Sequence, residues 1–267
     1  MLDVKIPFSY AAAISSGGAT TRIATLGNNP DIDTATQPED VWAGAELGTL
    51  NGIDHRFIPK PQAPVSMEVV SDSANDTLAG SGARAVTVGY LDTGYKAKTV
   101  TLNMAGLTPV ALPETAIRVN SVIVATSGTF GGNNAGNISV RFAGGLGATY
   151  SYMQIGIGIA KTSLFTVPDL LLFDVLSIVL SINRTDTADR WATFSLCNQN
   201  SAGRLIKGIE LSTSTTVPYR HEAADVPLIT YPSRTDTWIR CESVSASNSN
   251  VTAGIFGIQR NPLPYGF

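Results

Sequence analysis

The chain has 267 residues and a net charge of −3, and its charged fraction of 15% is well below the usual quarter. Its 18 lysines and arginines are scattered singly along the chain, so the basic patch of a nucleic-acid-binding protein is not expected. Two cysteines, Cys197 and Cys241, are too few for a disulfide framework and lack metal-ligand spacing. We interpret them as buried free thiols, with a single bridge between two strands as the alternative.

Residues 1–64 show no sustained hydrophobic period over their length, and they end in the prolines Pro59, Pro61 and Pro64. Proline removes a backbone donor and cannot join the middle of a sheet, so we predict an extended N-terminal arm. The run Pro38–Trp42 is typical of a first helical turn. Trp42 is a candidate anchor in a neighbouring subunit, because tryptophan is enriched at contact hot spots. On this interpretation the β domain folds without residues 1–60.

From about residue 65 the apolar residues alternate with a period of two, as expected for strands. The pattern in residues 118–125 predicts a strand that is buried on both faces. In residues 152–160, isoleucines 155, 157 and 159 would share one face of a strand and Gly156 and Gly158 the other. A glycine-lined face permits another backbone to approach closely, either inside a sandwich or between subunits. The many short strands predict an all-β, antiparallel β-sandwich or jelly roll with an extended N-terminal arm.

The predicted domain organisation has three parts. They are an anchoring arm over residues 1–64, a small β unit over residues 65–112, and a sandwich over residues 113–267 with a short C-terminal tail, with the break placed near Pro113. The apolar stretch at residues 164–182 contains Pro168, Asp169 and Asp174, which would be costly in a bilayer. It therefore predicts two buried strands joined by a turn.

The sequence contains few residues that could form a catalytic or metal-binding site. His55 and His221 lack the partners that catalysis or zinc binding requires. Asp72, Asn75 and Asp76 have a spacing like that of a calcium loop without its glycine and bidentate glutamate, so Asx-turns are the simpler interpretation. We predict no catalytic residues, no cofactor and no metal, and hence a protein that is not an enzyme.

Several motifs occur in order between residues 28 and 258. They read NPDIDTA at residues 29–35, PEDVW at 38–42, VVSDSANDTLAGSGAR at 69–84, RVN at 118–120 and RTDTWI at 234–239. In these blocks the chain resembles a recurrent family of tailed-bacteriophage virion structural proteins. The resemblance implies a location in the virion, without distinguishing the capsid from the tail.

The function expected from this resemblance and the arm is that of a capsid decoration or cement protein. It would be a homotrimer that stabilises the shell by contacts with the major capsid protein or other virion proteins, with neither nucleic acid nor membrane as a partner. The candidate assembly contacts are Asp31, Asp33, Trp42, Tyr265 and Phe267. One alternative is a tail, baseplate or fibre-attachment protein. Another is a carbohydrate-binding host-recognition module, suggested by Trp42 and the aromatic C-terminal tail.

Overall fold

The fold is that of a computed structural model, which describes residues 20–131, 133–183, 190–200, 205–214, 219–222 and 227–262. These residues form antiparallel sheets and one 3-10 turn, so the expectation of an all-β sandwich is confirmed. The strands are β1 (Thr20–Ile32), β2 (Glu39–Asp40), β3 (Thr49–Leu50), β4 (Ile53–Asp54), β5 (Met67–Ser71), β6 (Ala83–Leu91), β7 (Ala97–Asn103), β8 (Val110–Ala111), β9 (Arg118–Ser127), β10 (Ile138–Phe142), β11 (Thr149–Met153), β12 (Phe165–Thr166), β13 (Leu172–Asn183), β14 (Trp191–Gln199), β15 (Leu205–Ser214), β16 (Tyr219–Glu222), β17 (Ile229–Tyr231), β18 (Asp236–Val244) and β19 (Ser249–Arg260). The 3-10 turn spans Ala43–Leu47.

The first sandwich, which we call the split unit, takes its strands from residues 20–47 and 161–262. One sheet has the order β1-β19-β13-β16, with β17 also paired to β13. The other has the order β12-β18-β14-β15, with β2 also paired to β18. Buried side chains of both sheets form one core, including Phe173, Leu180, Phe194, Ile239 and Ile255.

The second sandwich, which we call the inserted unit, is formed by residues 65–160. Its two sheets have the orders β11-β10-β5-β8 and β7-β6-β9. Val86, Val88 and Tyr90 of β6 face a core that they share with Met67 and Val140 of the other sheet. The alternation that predicted β6 is thus the pattern of a strand with one buried face.

The sheets do not divide near Pro113, where the sequence suggested a break. β9 follows this proline yet pairs with β6, which precedes it, and β10 likewise pairs back with β5. Pro113 lies in the short connection between β8 and β9, inside the inserted unit. The strands change from one sandwich to the other after residue 160.

Residues 20–47 are not an arm. β1 pairs with β19 from Thr20 opposite Arg260 to Ile32 opposite Ser249, and Ile32 and Val41 are fully buried in the core of the split unit. The helical turn begins at Ala43, after the predicted run at residues 38–42. A domain lacking residues 1–60 would lose this strand and these core residues, so we now expect its split unit not to fold.

The connecting segment, residues 48–64, packs between the two units. It begins with the hairpin of β3 and β4, and Ile58 belongs to a cluster with Trp42, Tyr152 and Trp238 that draws on both units. The Nε2 atom of His55 accepts a hydrogen bond of 3.0 Å from the backbone N–H of Thr149 on β11. Both units are therefore fixed to one another through this segment.

The apolar stretch at residues 164–182 forms β12 and β13, joined by a turn at residues 167–171 as the sequence predicted. Leu170 occupies the left-handed region with φ of 62°, at the tip of that turn. Within the described ranges, the chain contains no helix with the length and apolarity needed to cross a bilayer.

Candidate contact surface

The motif residues of the N-terminal block serve the fold. Asn29 donates to a carboxylate oxygen of Glu39 at 2.9 Å and accepts from the N–H of Asp31. Asp40 is fully buried, and its carboxylate accepts hydrogen bonds from the indole of Trp238 (2.9 Å), the guanidinium of Arg240 (2.7 Å) and a backbone N–H at residue 58 (2.9 Å). These bonds join the block to β18.

The second motif encloses another buried carboxylate, that of Asp76. It accepts hydrogen bonds from the hydroxyl of Ser71 and from the backbone N–H groups of Ala83, Ala135 and Gly136, at 2.6 to 2.9 Å. Both of its oxygens face donors, which favours the interpretation of this loop as a structural turn over a cation site. The glycines of the motif are needed for close packing, since a Cβ at residue 82 would lie 2.1 Å from the Asp76 carboxylate.

The junction between the units contains a buried ion pair. Arg118 of β9 donates from Nε and Nη2 to Asp236 of β18 at 2.9 and 2.7 Å, and the hydroxyl of Thr166 donates to the same carboxylate at 2.7 Å. Lys60 lies nearby with its ammonium 3.9 Å from the Trp238 ring centroid, and burial lowers the pKa of this lysine. The RVN and RTDTWI motifs therefore hold the two sandwiches together.

A groove of about 280 Å³ lies where the two units meet at the surface. One wall is the outer face of β1 and β19, where Leu26 is 43% exposed and Phe256 lies across Gly254, whose Cβ position is 2.9 Å from the ring. The opposite wall comes from β9 and residues 159–162, including Asn120 and Ile159. A bulge in β9 sets Asn120 against the split unit, where its amide makes two hydrogen bonds with the backbone of residue 166.

Beside the groove, residues 155–159 form a turn and not the predicted strand. Gly156 and Gly158 have φ of 75° and 74°, so the segment leaves the extended conformation and pairs with β9 only in an isolated bridge at Ile159. Asn134 is fully buried and holds this turn, because its side chain accepts from the N–H of Gly158 and donates to the carbonyl of Gln154. The turn therefore presents its isoleucines in a fixed arrangement.

The isoleucines are exposed. Ile159 pairs with Ile123 of β9, which is also exposed, so the prediction that β9 is buried on both faces is wrong. The contact surface, as we call it, consists of six large apolar side chains around the groove and the adjoining turn: Leu26, Ile123, Ile155, Ile157, Ile159 and Phe256. Leu26, Ile159 and Phe256 line the groove itself, and exposed apolar side chains around a groove are typical of a surface that binds another protein.

Among the predicted contact residues that the structure describes, the tryptophan does not lie at the surface. Trp42 is fully buried in its own chain, with its indole donating to the carbonyl of His55 at 2.9 Å, so it is unavailable as an anchor in another subunit. Asp31 is exposed at the end of β1, and Asp33 accepts a hydrogen bond from the N–H of Asn248. Tyr265 and Phe267 lie outside the described residues.

The alternation of their strands predicts core positions for both remaining tryptophans, and the structure agrees for one of them. Trp238 is buried, whereas Trp191 is 50% exposed at the first position of β14. Since Trp42 is buried, the carbohydrate-binding alternative loses one of the two features that suggested it, and the other, the aromatic C-terminal tail, lies outside the described residues. His55 is buried with both ring nitrogens within 3.0 Å of backbone atoms, and burial lowers its pKa.

No protein-family model matches the chain, and no curated protein matches its sequence. Among solved structures, infectious bursal virus derived T=1 particles are similar at 11% identity and a TM-score of 0.13, over 97% of this chain and 85% of that chain. The T13 particle of the same virus is similar at 10% identity and a TM-score of 0.13, over 92% of this chain and 77% of that chain. At these TM-scores the likeness carries no argument about fold or function.

Proposed function

We propose that the protein is a structural component of a tailed-bacteriophage virion that works through subunit contacts. The observation that carries this proposal is the contact surface, where six large apolar side chains are exposed on strands and a turn. The sequence resemblance to virion structural proteins supports it independently. The side chains of the motifs are engaged in internal hydrogen bonds, which suits a scaffold.

Within the virion, a capsid decoration or cement protein is the form that we propose. Only 15% of the residues are charged, so few charged side chains must lose their hydration when the surface binds a partner. This favours permanent contacts with other virion proteins. A stable contact would bury roughly 1,600 Å², more than this groove alone provides. The contact surface would therefore be one part of a larger interface, in a homotrimer or with the major capsid protein.

Copy number per particle tests this proposal. Particles of the phage that carries the gene would be purified and the chain quantified by mass spectrometry against a labelled standard. A capsid component follows the symmetry of the shell and is expected in hundreds of copies, whereas a tail or baseplate component would occur in about six, twelve or eighteen. Absence of the chain from intact particles would overturn the virion assignment altogether.

A further inference from the structure

The groove borders an edge of β1 with which no strand of the described residues pairs. Within the described residues β1 pairs with β19 alone, so from Thr20 to Leu26 its other edge carries no strand. Ala24, Thr25 and Leu26 of this stretch also line the groove. Free backbone N–H and C=O groups next to apolar side chains are the features that accept an added strand.

The residues that precede β1 have the pattern of such a strand. In residues 2–10 the apolar side chains alternate with other residues: Leu2, Val4, Ile6, Phe8 and Tyr10 are separated by Asp3, Lys5, Pro7 and Ser9. A period of two would place the five apolar side chains on one face of a strand. This is the chemistry that fits the apolar groove.

Pro7 is compatible with this role. The backbone N–H and C=O groups of successive strand residues point alternately to the two edges of the strand. If those of the even-numbered residues bond to β1, the backbone nitrogen of Pro7 faces the opposite edge, where it need not donate a hydrogen bond to β1. Proline is tolerated on an outer edge, where no neighbour requires the N–H. It would also prevent a further strand from adding there.

A second copy supplies the segment better than the same chain does. A tight hairpin turn at Gly17–Gly18 would place Ala11 opposite Ala24 and Phe8 opposite Gly27. Residues directly opposite one another in an antiparallel pair turn their side chains to the same face, so Phe8 would face inward, where a Cβ at Gly27 would lie 2.1 Å from the carbonyl oxygen of Val41. Such a hairpin would bring alanines to the groove and keep most of the alternating segment out of it.

We propose that residues 2–10 of one copy add as a β-strand to the free edge of β1 in a second copy, with their apolar face in the groove. This inference rests on the proposed function, because it names a contact by which copies of the chain assemble. The partner is a second copy of this chain, and the recognition is main-chain pairing combined with apolar burial.

The first test measures the mass of the full chain by light scattering across a range of concentrations. We expect an oligomer that becomes monomeric on deletion of residues 2–10, with Ile6→Asp, or with Leu26→Asp in the groove. The matched controls are Ser9→Asp on the other face of the segment and Leu146→Asp, which changes a leucine that is 82% exposed elsewhere. Both controls should keep the oligomer. An oligomer that survives the deletion overturns the proposal.

The second test uses a fluorescent peptide of residues 2–10 and the chain that lacks them. The peptide should bind, and Leu26→Asp should weaken its binding by at least tenfold while Leu146→Asp leaves it unchanged. No binding, or equal binding by both variants, contradicts the proposal. If the full chain is monomeric and does not bind the peptide, residues 2–10 occupy the groove of their own chain. That result also overturns the second-copy assignment. Neither test depends on particles, so the copy-number result stands separately.

Discussion

The split unit and the inserted unit are both β-sandwiches, but the chain builds them differently. All strands of the inserted unit come from one continuous stretch, residues 65–160. In the split unit, β1 pairs with β19, and Thr25 bonds to Ile255 across 230 residues. Long-range pairing of this kind requires costly loop closure, so the split unit can be completed only when both ends of the chain are present.

The largest expected effect comes from truncation. Removal of residues 1–60 deletes β1, β2 and the buried Ile32, Val41 and Trp42, so we expect the split unit to lose its cooperative unfolding transition. Removal of residues 1–19 should leave the stability of the monomer nearly unchanged. Cys197 and Cys241 are both buried in the split unit, and burial raises the pKa of each thiol to about 12. Rapid thiol labelling at pH 8 should therefore occur only in the variant that lacks residues 1–60. Equal protection of the thiols in both variants would mean that the split unit does not need β1.

The sequence predicted the inserted unit better for a physical reason. Strands such as β6 carry their apolar residues on the buried face, so their alternation can be recognised. In β1 the pattern is inverted: Thr25, Gly27 and Asn29 are buried, while Leu26 is exposed. A strand with polar residues inside and a leucine outside shows no hydrophobic period, and its partner is too distant in sequence to be recognised.

The contact surface was only partly visible in the sequence. The isoleucines of residues 155–159 and the two glycines between them were recognised as an unusual pattern with a possible role between subunits. Their exposure depends on the turn that Asn134 holds, and Leu26 and Phe256 join them because of the β1–β19 register. No sequence signal indicates either arrangement, since both depend on tertiary contacts.

A second prediction concerns the two tryptophans whose roles the sequence reversed. Trp42→Ala should destabilise the split unit by about 3–5 kcal/mol, because it empties a buried site where the ring packs against Gly44. Trp191→Ala is the matched control and should cost less than about 1 kcal/mol, since this ring is half exposed. Denaturant unfolding followed by circular dichroism measures both. Equal losses would mean that Trp42 is not part of the core.

The third prediction concerns the inserted unit. Asp76→Ala removes the acceptor of three backbone N–H groups and one hydroxyl, and we expect a loss of at least about 2 kcal/mol from this unit. Asp72→Ala is the control, because Asp72 is exposed and its partners can bond to water instead. Thermal melts of the two variants distinguish them. A calcium-dependent stability of the wild-type chain would contradict our interpretation of the loop.

The smallest effect should come from pH at the segment that connects the two units. Burial lowers the pKa of His55 below its ordinary 6.5, so the unfolded chain binds the proton more tightly than the folded one does. The contribution of His55 to stability is therefore complete above pH 6.5 and falls as the pH drops through the unfolded value. Denaturant midpoints between pH 5 and 8 for the wild type and His55→Gln measure this, and the slope attributable to His55 should vanish in the variant.

The central claim is that residues 20–32 form a structural strand of the split unit and leave the preceding residues for contacts with other copies. Hydrogen exchange of the chain that lacks residues 2–10, which we expect to be monomeric, tests it most directly when monitored by mass spectrometry. We expect the amides of β1 that face β19 to be protected to the same extent as those of β19. Exchange of residues 20–32 at the rate of an unfolded chain, while β19 stays protected, would contradict the account.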